Sequence, residues 1–318
     1  MDKVLRAGDM KPNFDELKIR WSEMLQKFFQ PSGQLLPEWS ISADCPHCGN
    51  LGAQVEFNLN GFVHKRCAGC ESLYVSPRLS DAALHDLYSD DYYSEMYTKT
   101  MLPIFEKRKS VIGVSKYKQL QELSKQHTGR VLDVGAGIGE VTDVFKDQGW
   151  ETHAIEMNQA AVEWLNTRGH KSVFHGAMDD YKTELKFEVV MAWGVIEHVI
   201  DPDYFLGRVY DLLKPGGVFV SEVPHGNCLL VDMACETGFD PKRILMGEQH
   251  IMLYSKKAYR ELHVRNGFRE LHLQTNGLDI DTVFMEAGVT LPDETLKAMQ
   301  HCIDAQQYGD LLRGYWVK

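Results

Sequence analysis

The chain has 318 residues, which favours two domains of roughly 100 to 200 residues each. Hydrophobic residues make up 44% and charged residues 25%, so a core can form, and collagen-like, low-complexity and disulfide-scaffold classes are excluded. The formal charge is −11, from 34 Lys and Arg against 45 Asp and Glu. It disfavours nucleic acid as a partner because the phosphate backbone would be repelled.

The N-terminal residues are charged and contain no apolar signal core, and no stretch approaches the roughly 18 consecutive apolar residues of a membrane span. We therefore expect a cytoplasmic protein without a membrane partner. Residues 1–40 are predicted to form a helical segment, because apolar residues recur there at steps of three and four. Their shared face is expected to pack on the protein's own core rather than on a partner: Phe14, Leu17, Trp21, Leu25 and Phe28.

Residues 41–80 carry two C-x-x-C pairs with 18 residues between them, formed by Cys45, Cys48, Cys67 and Cys70. Each pair can turn a tight knuckle that directs two sulfurs at one ion about 2.3 Å away. Four thiolates fill a tetrahedral zinc site and leave no position for water, so we expect a structural Zn²⁺ in a small zinc-ribbon-like module. With the zinc and four thiolates counted, the formal charge becomes about −13.

The segment 81–107 is interpreted as a connector. Ala82, Leu84 and Leu87 are expected to lie on one side of it. The aromatic and acidic run at residues 88–93 is interpreted as part of the connector rather than as a core element.

The rest of the chain, residues 108–318, alternates predicted strands and helices after a long polar helix at about 101–126, which indicates a parallel sheet. Strands are predicted at 130–135, 151–156, 172–176, 187–193, 216–223, 268–275 and 311–317. Helices are predicted at 139–148, 158–168, 202–213 and 255–266. Residues 224–254 form a long insertion that we interpret as a substrate lid.

An apolar strand runs into a glycine-rich turn and then a helix over Val131–Glu140. Glycines are needed where the backbone takes positive φ or lies against a ligand, and the helix N-terminus offers amides to a nucleotide-like cofactor. The dinucleotide fingerprint would place a third glycine at position 140, where this chain has Glu140. Asp133, inside the strand, could accept the ammonium group of an amino-acid-bearing ligand.

Two further groups suit the nucleoside part of such a ligand. Glu156 ends the second strand, where a carboxylate can accept both ribose hydroxyls; the alternative is a solvated strand end. Beyond the third strand, Met178 can stack on adenine, and Asp179 can accept from its exocyclic amine. The alternative for Asp179 is a turn or a helix N-cap.

These motifs occur together and in order, and the chain resembles the class I S-adenosylmethionine-dependent methyltransferases. The resemblance implies an α/β fold with a Rossmann-like seven-stranded methyltransferase sheet, in which the last strand is reversed. It also implies the cofactor S-adenosylmethionine and a set of cofactor-binding residues: Asp133, Gly135, Ala136, Gly137, Glu156, Met157, Met178, Asp179 and Trp193. The turn at residues 213–217 resembles the family's turn before strand five.

The cysteine pairs ahead of this domain resemble a subgroup with an N-terminal zinc-binding module. That resemblance implies a small-molecule acceptor such as a sugar, a nucleotide-linked sugar or a natural-product intermediate, with O-methylation favoured over C- or N-methylation. It also implies that Tyr92 or Tyr93, with Tyr93 preferred, contacts the cofactor; simple packing between domains is the alternative.

Methyl transfer needs the acceptor held close to the methyl group and a base for its proton. His198 and His250 are the candidate catalytic residues, because imidazole titrates near neutral pH. Each has a structural alternative: His198 could bond backbone at a strand end, and His250 could pack the lid.

Two other functions remain possible at this point. The first is an RNA methyltransferase with a zinc knuckle, against which the charge and the small number of basic residues in the module argue: Lys65, Arg66 and Arg78. The second is a non-catalytic, S-adenosylmethionine-binding regulatory protein, against which the intact cofactor motifs argue. The acceptor atom and the oligomeric state do not follow from the sequence.

Overall fold

The computed structural model describes residues 6–9, 15–241 and 243–318; Phe14 of the predicted apolar face lies outside them. None of the described helices has both the length and the apolarity to cross a membrane. The α-helices are α1 (Asp15–Gln26), α2 (Asp81–Tyr88), α3 (Tyr92–Met96), α4 (Phe105–Arg108), α5 (Val114–Ser124), α6 (Glu140–Asp147), α7 (Gln159–Thr167), α8 (Pro202–Leu212), α9 (Leu229–Thr237), α10 (Lys256–Arg265), α11 (Asp279–Glu286) and α12 (Asp293–Ala305).

The strands of the described residues fall into three sheets. In chain order they are β1 (Ser40–Ile41), β2 (Ala53–Leu59), β3 (Phe62–Cys67), β4 (Leu73–Val75), β5 (Arg78–Leu79), β6 (Arg130–Val134), β7 (Glu151–Glu156), β8 (Ser172–His175), β9 (Phe187–Trp193), β10 (Leu213–Pro224), β11 (Met252–Leu253), β12 (Arg269–Asn276) and β13 (Leu311–Val317).

The large sheet has seven strands in the order β12-β13-β10-β9-β6-β7-β8. Strands β8, β7, β6, β9 and β10 are parallel, and β13 pairs antiparallel with both β10 and β12. The predicted α/β fold with a mostly parallel Rossmann-like sheet and a reversed last strand is therefore confirmed. The four predicted strands between residues 130 and 193 agree with the observed ones to within one residue.

The strand order places a ligand-binding crevice at one position. Strand β6 lies between β7, which follows it in the chain, and β9, so the direction of winding changes beside β6. In open α/β sheets, ligands bind at the carboxyl ends of the strands beside such a switch point. The loops that follow β6, β7 and β9 therefore form the candidate site.

The small sheet has the order β11-β4-β3-β2, and three of its strands come from the cysteine-containing segment. The fourth strand, β11, comes from the predicted insertion 224–254, with Leu253 paired to Leu73. Side chains reinforce this junction: the Ser255 hydroxyl donates to the Cys70 carbonyl over 2.6 Å, and Arg66 donates to the Gly226 carbonyl over 2.7 Å. The two parts of the chain thus share one sheet.

The aromatic run after α2 is a core element, so its interpretation as a mere connector is wrong. Tyr92 and Tyr93 are 2% and 9% exposed, and Trp21 of α1 packs on Tyr92 with ring centroids 4.7 Å apart. Burial of large aromatic faces outweighs the acidic neighbours that suggested a solvated linker. The face of α1 packs on the protein's own core as predicted, with Leu17 and Phe28 buried in the same cluster.

The prediction for α2 is wrong at one position. Ala82 is exposed, and the buried residues are Ala83, Leu84 and Leu87. This spacing of one, three and four residues follows one face of a helix, whereas Ala82 lies on the opposite side.

Helical structure continues through residues 92–124, including a π-helical turn at Lys109–Gly113. It covers the predicted polar helix and brings Gly113 against α6, where an added Cβ would lie 2.3 Å from the Glu140 carbonyl oxygen. Helices α11 and α12 have no counterpart among the sequence predictions. They pack on each other, and α12 also packs on β12.

Candidate functional site

The glycine loop follows β6 and crosses the end of β7. The amides of Gly135 and Ala136 donate to the Ile155 carbonyl over 2.9 and 3.1 Å, which holds the turn against the neighbouring strand. Gly135 and Gly137 have φ of +68° and +56°, a region that side chains disfavour. A Cβ on Gly135 would lie 2.8 Å from Val195 Cγ2, so glycine lets the loop after β9 approach closely.

Asp133 presents a buried carboxylate oxygen at the base of this loop. The side chain is 1% exposed; its Oδ2 accepts from the Thr142 hydroxyl, and its Oδ1 has no partner among the described residues. Burial raises the pKa of Asp133 to about 7, assisted by the nearby charges of Glu140 and Glu156, while Thr142 and Lys116 oppose the shift. A cationic donor placed at Oδ1 would satisfy this oxygen.

Glu156 is hydrogen bonded to three backbone amides at the end of β7. Its Oε2 accepts from Gly137 over 2.7 Å, and its Oε1 accepts from Met157 and Asn158 over 2.9 and 2.8 Å. The carboxylate therefore joins the glycine loop to the start of α7. Burial raises its pKa, and the three amides oppose that shift. A carboxylate has about four acceptor positions, so one is left for a ligand hydroxyl.

The residues predicted to surround the adenine differ in exposure. Met157 is 62% exposed, whereas Met178 is buried in the main core cluster with Ile155. Asp179 lies exposed in the turn after β8. Of the two methionines, Met157 is therefore the more accessible to a ligand that enters from solvent.

Trp193 and Tyr93 lie in different surroundings. Trp193, at the end of β9, packs under Lys116 of α5, whose Nζ lies 3.9 Å from the ring centroid. Tyr93 belongs to an aromatic layer with Trp21 and Tyr88, at centroid distances of 5.8 and 5.3 Å. The Tyr93 hydroxyl is buried without a partner among the described residues.

Tyr97 was missed by the sequence analysis although it lies beside the glycine loop. A Cβ on Gly137 would lie 3.7 Å from both Cε1 and the hydroxyl oxygen of Tyr97. Tyr97 is four residues after Tyr93 in one continuous helical stretch, so both side chains lie on one face. That spacing is the signal that could have identified it.

The structure brings His198 and His250 together, although 51 positions lie between them in the chain. Their ring centroids are 4.9 Å apart. Nδ1 of His198 lies 3.0 Å from the Gln249 carbonyl oxygen, and Nδ1 of His250 lies 2.7 Å from the Ile244 carbonyl oxygen. A ring that donates from Nδ1 has its lone pair on Nε2, so both rings are held as the tautomer that can accept at Nε2.

Glu197 and Tyr88 complete this cluster and were also missed. Glu197 is 2% exposed, its Oε1 lies 4.0 Å from His198 Nε2, and its Oε2 has no partner among the described residues. Burial raises the pKa of Glu197 to about 8. The Tyr88 hydroxyl lies 3.3 Å from His198 Nδ1. Glu197 directly precedes a predicted catalytic residue, but its burial depends on contacts that no local pattern reports.

The four predicted cysteine ligands are brought together by two equivalent turns. In each, the residue four positions after the first cysteine has positive φ, +64° at Gly49 and +63° at Glu71, and donates its amide to that cysteine's carbonyl. The Sγ atoms pair across the turns, Cys45 with Cys70 and Cys48 with Cys67, each at 3.5 Å.

These distances suit a tetrahedral ion rather than disulfides. All four Sγ atoms lie within 4.8 Å of one another. A disulfide has an S–S distance of about 2.05 Å, whereas four sulfurs about 2.3 Å from one zinc are about 3.8 Å apart. Four thiolates, which are soft ligands, are typical of structural zinc sites.

Comparisons with known proteins concern the part of the chain that contains the glycine loop and most of the large sheet. A family described as "Methyltransferase domain" matches residues 106–273, more than half of the chain. A ubiquinone biosynthesis O-methyltransferase of Bradyrhizobium sp. (strain ORS 278) is 33% identical over 103 residues, which cover 31% of this chain and 41% of that protein. The corresponding Nitrobacter winogradskyi protein is 29% identical over 103 residues, covering 31% and 40%. The match thus spans about two fifths of the length of these relatives.

One solved structure has a similar fold. It is a chain of the complex between the Haloferax volcanii Trm112 methyltransferase activator and a methyltransferase, with a TM-score of 0.50 and 19% identity. The match covers 71% of this chain and 94% of that chain. At this level of identity the likeness concerns the fold alone.

Proposed function

We propose that this chain, which belongs to the methyltransferase-domain family and is an S-adenosylmethionine-dependent methyltransferase, methylates a hydroxyl group of a small molecule. The observation that carries the proposal is the cluster of Glu197, His198 and His250 directly beyond the glycine loop. Val195 of the same loop lies against Gly135, so the cluster and the cofactor loop belong to one crevice. The acceptor hydroxyl is placed at this cluster.

The residues around the glycine loop fit S-adenosylmethionine. Oδ1 of Asp133, buried and without a partner among the described residues, suits the ammonium group of its methionine part. The small residues Gly135, Ala136 and Gly137 let a ligand lie close to the backbone of the loop. Glu156 retains an acceptor position for the ribose hydroxyls. When bound, the cofactor supplies a methyl group on a sulfonium. The remaining proposed contacts are Met157, Met178, Asp179, Trp193 and Tyr93.

His198 and His250 are proposed as the catalytic residues that promote loss of the acceptor proton. Their Nδ1 atoms lie within hydrogen-bonding distance of main-chain carbonyl oxygens, which fixes the orientation of the rings. A fixed ring loses little freedom when the acceptor binds, and such positioning supplies much of the acceleration of a transfer reaction. Tyr88, whose hydroxyl contacts His198, is placed to orient it further.

A small molecule is favoured over RNA as the acceptor because the basic side chains of the cysteine module are engaged within the protein. Arg66 pairs with Glu56 at 3.2 Å, and Arg78 is buried and pairs with Asp81 at 3.1 Å. Lys65 donates to a serine hydroxyl over 3.3 Å. These three residues offer no basic stripe for a phosphate backbone. The relatives named for O-methylation in ubiquinone biosynthesis support oxygen as the acceptor atom.

A ring-shaped acceptor fits the surroundings of the cluster. Tyr88 contacts His198 through its hydroxyl and packs on Tyr93, which packs on Trp21, so a layer of aromatic faces adjoins the cluster. Such faces pack on the apolar side of a sugar ring or on another aromatic ring. We therefore keep a sugar, a nucleotide-linked sugar or a natural-product intermediate as the proposed acceptor.

We also infer that the four cysteines bind a structural zinc ion in a module spanning residues 41–80, between a helical segment at 1–40 and the connector at 81–107. The catalytic domain then comprises residues 108–318. The insertion 224–254 contributes β11 to the sheet of the module, which ties the zinc site to the segment that carries His250. The zinc has a purely structural role in this proposal because its four thiolates leave no open position.

The proposal is tested with purified full-length protein, S-adenosylmethionine and a panel of sugars, nucleotide-linked sugars and phenols. We expect one hydroxylated class to give S-adenosylhomocysteine together with a product that is one methyl group heavier, with the methyl carbon bonded to oxygen by NMR. Mass spectrometry of small molecules released on denaturation directs the choice of panel. Turnover with RNA but with no small molecule, or methylation at carbon or nitrogen only, would contradict the proposal.

A further inference from the structure

We propose that Glu197, His198 and His250 form a binding site for one divalent transition-metal ion, distinct from the four-cysteine site. The three residues come from the loop after β9 and from the segment before β11, on the acceptor side of the crevice. The metal site itself is inferred from the positions of its ligand atoms and does not depend on the proposed function. Only the effect of the ion on the acceptor rests on the proposed function.

The three ligand atoms converge on one point. One nitrogen from each histidine and one oxygen from Glu197 all lie within 4.8 Å of one another, and Glu197 Oε1 is 4.0 Å from His198 Nε2. Ligands about 2.1 Å from one ion are about 3.0 to 3.4 Å apart at the angles of a facial or tetrahedral site. Side-chain movements that shorten the present separations by about 0.6 to 1.4 Å would therefore bring all three onto a single ion.

In His198 the nitrogen nearer to Glu197 is Nε2, and in both imidazoles Nδ1 faces a main-chain carbonyl. Nδ1 of each histidine lies within 3.0 Å of a main-chain carbonyl oxygen, from Gln249 for His198 and from Ile244 for His250. Metal-binding histidines commonly donate their other ring N–H to such a carbonyl, because this fixes the tautomer and the direction of the lone pair. The outer contacts of a metal site are thus already in place.

Glu197 supplies an independent reason for a cation. Its side chain is almost completely buried, and Oε2 has no hydrogen-bond partner among the described residues. Its one ion-pair contact there is to His198, at 4.0 Å, with no lysine or arginine in reach. A buried carboxylate is costly unless it is paired or coordinates a metal. A divalent ion bound by the two histidines would provide the missing positive charge.

The donor set indicates the class of ion. Two imidazoles and one carboxylate occur in catalytic zinc sites and in the facial triads of non-haem iron proteins, and in both the protein leaves coordination positions open. The four-cysteine site is softer and is filled by its own ligands. The chain therefore provides two chemically different metal sites.

An open position would receive the acceptor oxygen. Val195 of this loop lies against Gly135 of the cofactor turn, so an ion at Glu197 lies beside the methyl-transfer crevice. A bound cation lowers the pKa of a coordinated hydroxyl. The O–H bond breaks, its proton passes to solvent water, and its electron pair remains on the oxygen that accepts the methyl group. His198 and His250 thus promote proton loss as ligands of the ion.

Calorimetry with Co²⁺ tests the site in the full-length, zinc-loaded protein. We expect the wild type to bind one Co²⁺ per chain, without release of zinc and without the intense charge-transfer absorption of a Co²⁺–thiolate site. Glu197→Gln and His198→Ala should each weaken Co²⁺ binding at least tenfold. His301→Ala, which changes an exposed histidine elsewhere on the surface, is the matched control and should bind Co²⁺ like the wild type.

Folding and function are separated by two further measurements. Affinity for S-adenosylmethionine shows that each variant is folded, and His198→Ala, at a partly exposed position, remains informative if Glu197→Gln fails to fold. Equal Co²⁺ binding by the wild type and His198→Ala, or binding only with displacement of zinc, would overturn the site. Methylation at an unchanged rate by protein that binds no Co²⁺ would contradict the metal site and leave the proposed function standing. Co²⁺ binding without methylation of any hydroxyl would contradict the proposed function and support the metal site.

Discussion

The cysteine module and the cofactor crevice are both formed by short turns, but the turns position different kinds of side chain. In the module, two equivalent turns direct four sulfurs at one another, and the surrounding sheet is completed by β11 from the distant insertion. In the crevice, at the ends of β6 and β9, Asp133 Oδ1 and Glu197 Oε2 are buried and have no partner within the described part of the chain. The module brings its four sulfurs together and supports the fold, whereas the crevice leaves carboxylate oxygens available to ligands.

Substitutions in the two regions should therefore have different effects. Strand β11 begins two residues after His250, so a change in the module should lower stability and also disturb the acceptor side of the crevice. A change at the cofactor turn removes a ligand contact and leaves the small sheet intact. Stability and binding should therefore separate between the two regions.

The largest effect is expected from Cys67→Ser, which removes one ligand from the module. Structural zinc sites contribute folding free energy directly, so we expect loss of bound zinc and a fall of at least about 4 kcal/mol in the free energy of unfolding. Elemental analysis and thermal unfolding measure both quantities. Cys302→Ser, at an exposed cysteine outside the module, is the control and should change neither. Full zinc content and unchanged stability in Cys67→Ser would refute the assignment of the cluster.

A smaller effect, confined to binding, is expected from Asp133→Ala. A hydrogen bond to a charged group contributes about 1.5 to 3 kcal/mol, so affinity for S-adenosylmethionine should fall between about tenfold and about 100-fold. The melting temperature should stay close to that of the wild type, because the substitution also removes a carboxylate that is costly to bury. Isothermal calorimetry measures the affinity, and Asp211→Ala, at an exposed position on α8, provides the control. Wild-type affinity in Asp133→Ala would show that the carboxylate does not hold the ligand.

The smallest effect is a pH dependence that sharpens the role of the same residue. Burial raises the pKa of Asp133 to about 7, so this side chain is neutral below that pH and ionised above it. An ammonium group binds better to the ionised form, and affinity should weaken roughly tenfold from pH 8 to pH 6. Calorimetry across this range checks the prediction. Asp133→Asn should bind weakly with a flatter pH profile; an equally steep profile in that variant would assign the titration to another group.

A helix or strand could be predicted from the sequence when the residues that determine it are close neighbours in the chain. The strands between residues 130 and 193 were predicted to within one residue because each is a continuous apolar run that ends at a turn. Helices α11 and α12 were not predicted. In α12 only one residue, Leu296, is buried. The aromatic run at 88–93 was misjudged because its acidic neighbours suggested solvent, whereas Trp21 from a distant helix covers Tyr92.

The same distinction applies to the site residues. Asp133, the glycines and the cysteines lie in contiguous motifs, and the structure places them where the motifs imply. Tyr97, Tyr88 and Glu197 were missed because their relevance depends on contacts with Gly137 and His198 that form only in the folded chain.

The sequence by itself determined the seven strands of the large sheet, the cofactor turn and the two cysteine knuckles, because turn geometry and apolar periodicity act over a few residues. Only the tertiary structure decided that the module shares a sheet with the insertion and that Glu197 and His198 meet His250. Those contacts join segments about fifty or more residues apart. Their formation depends on the burial and hydrogen bonding of the whole core, which no short stretch of sequence specifies.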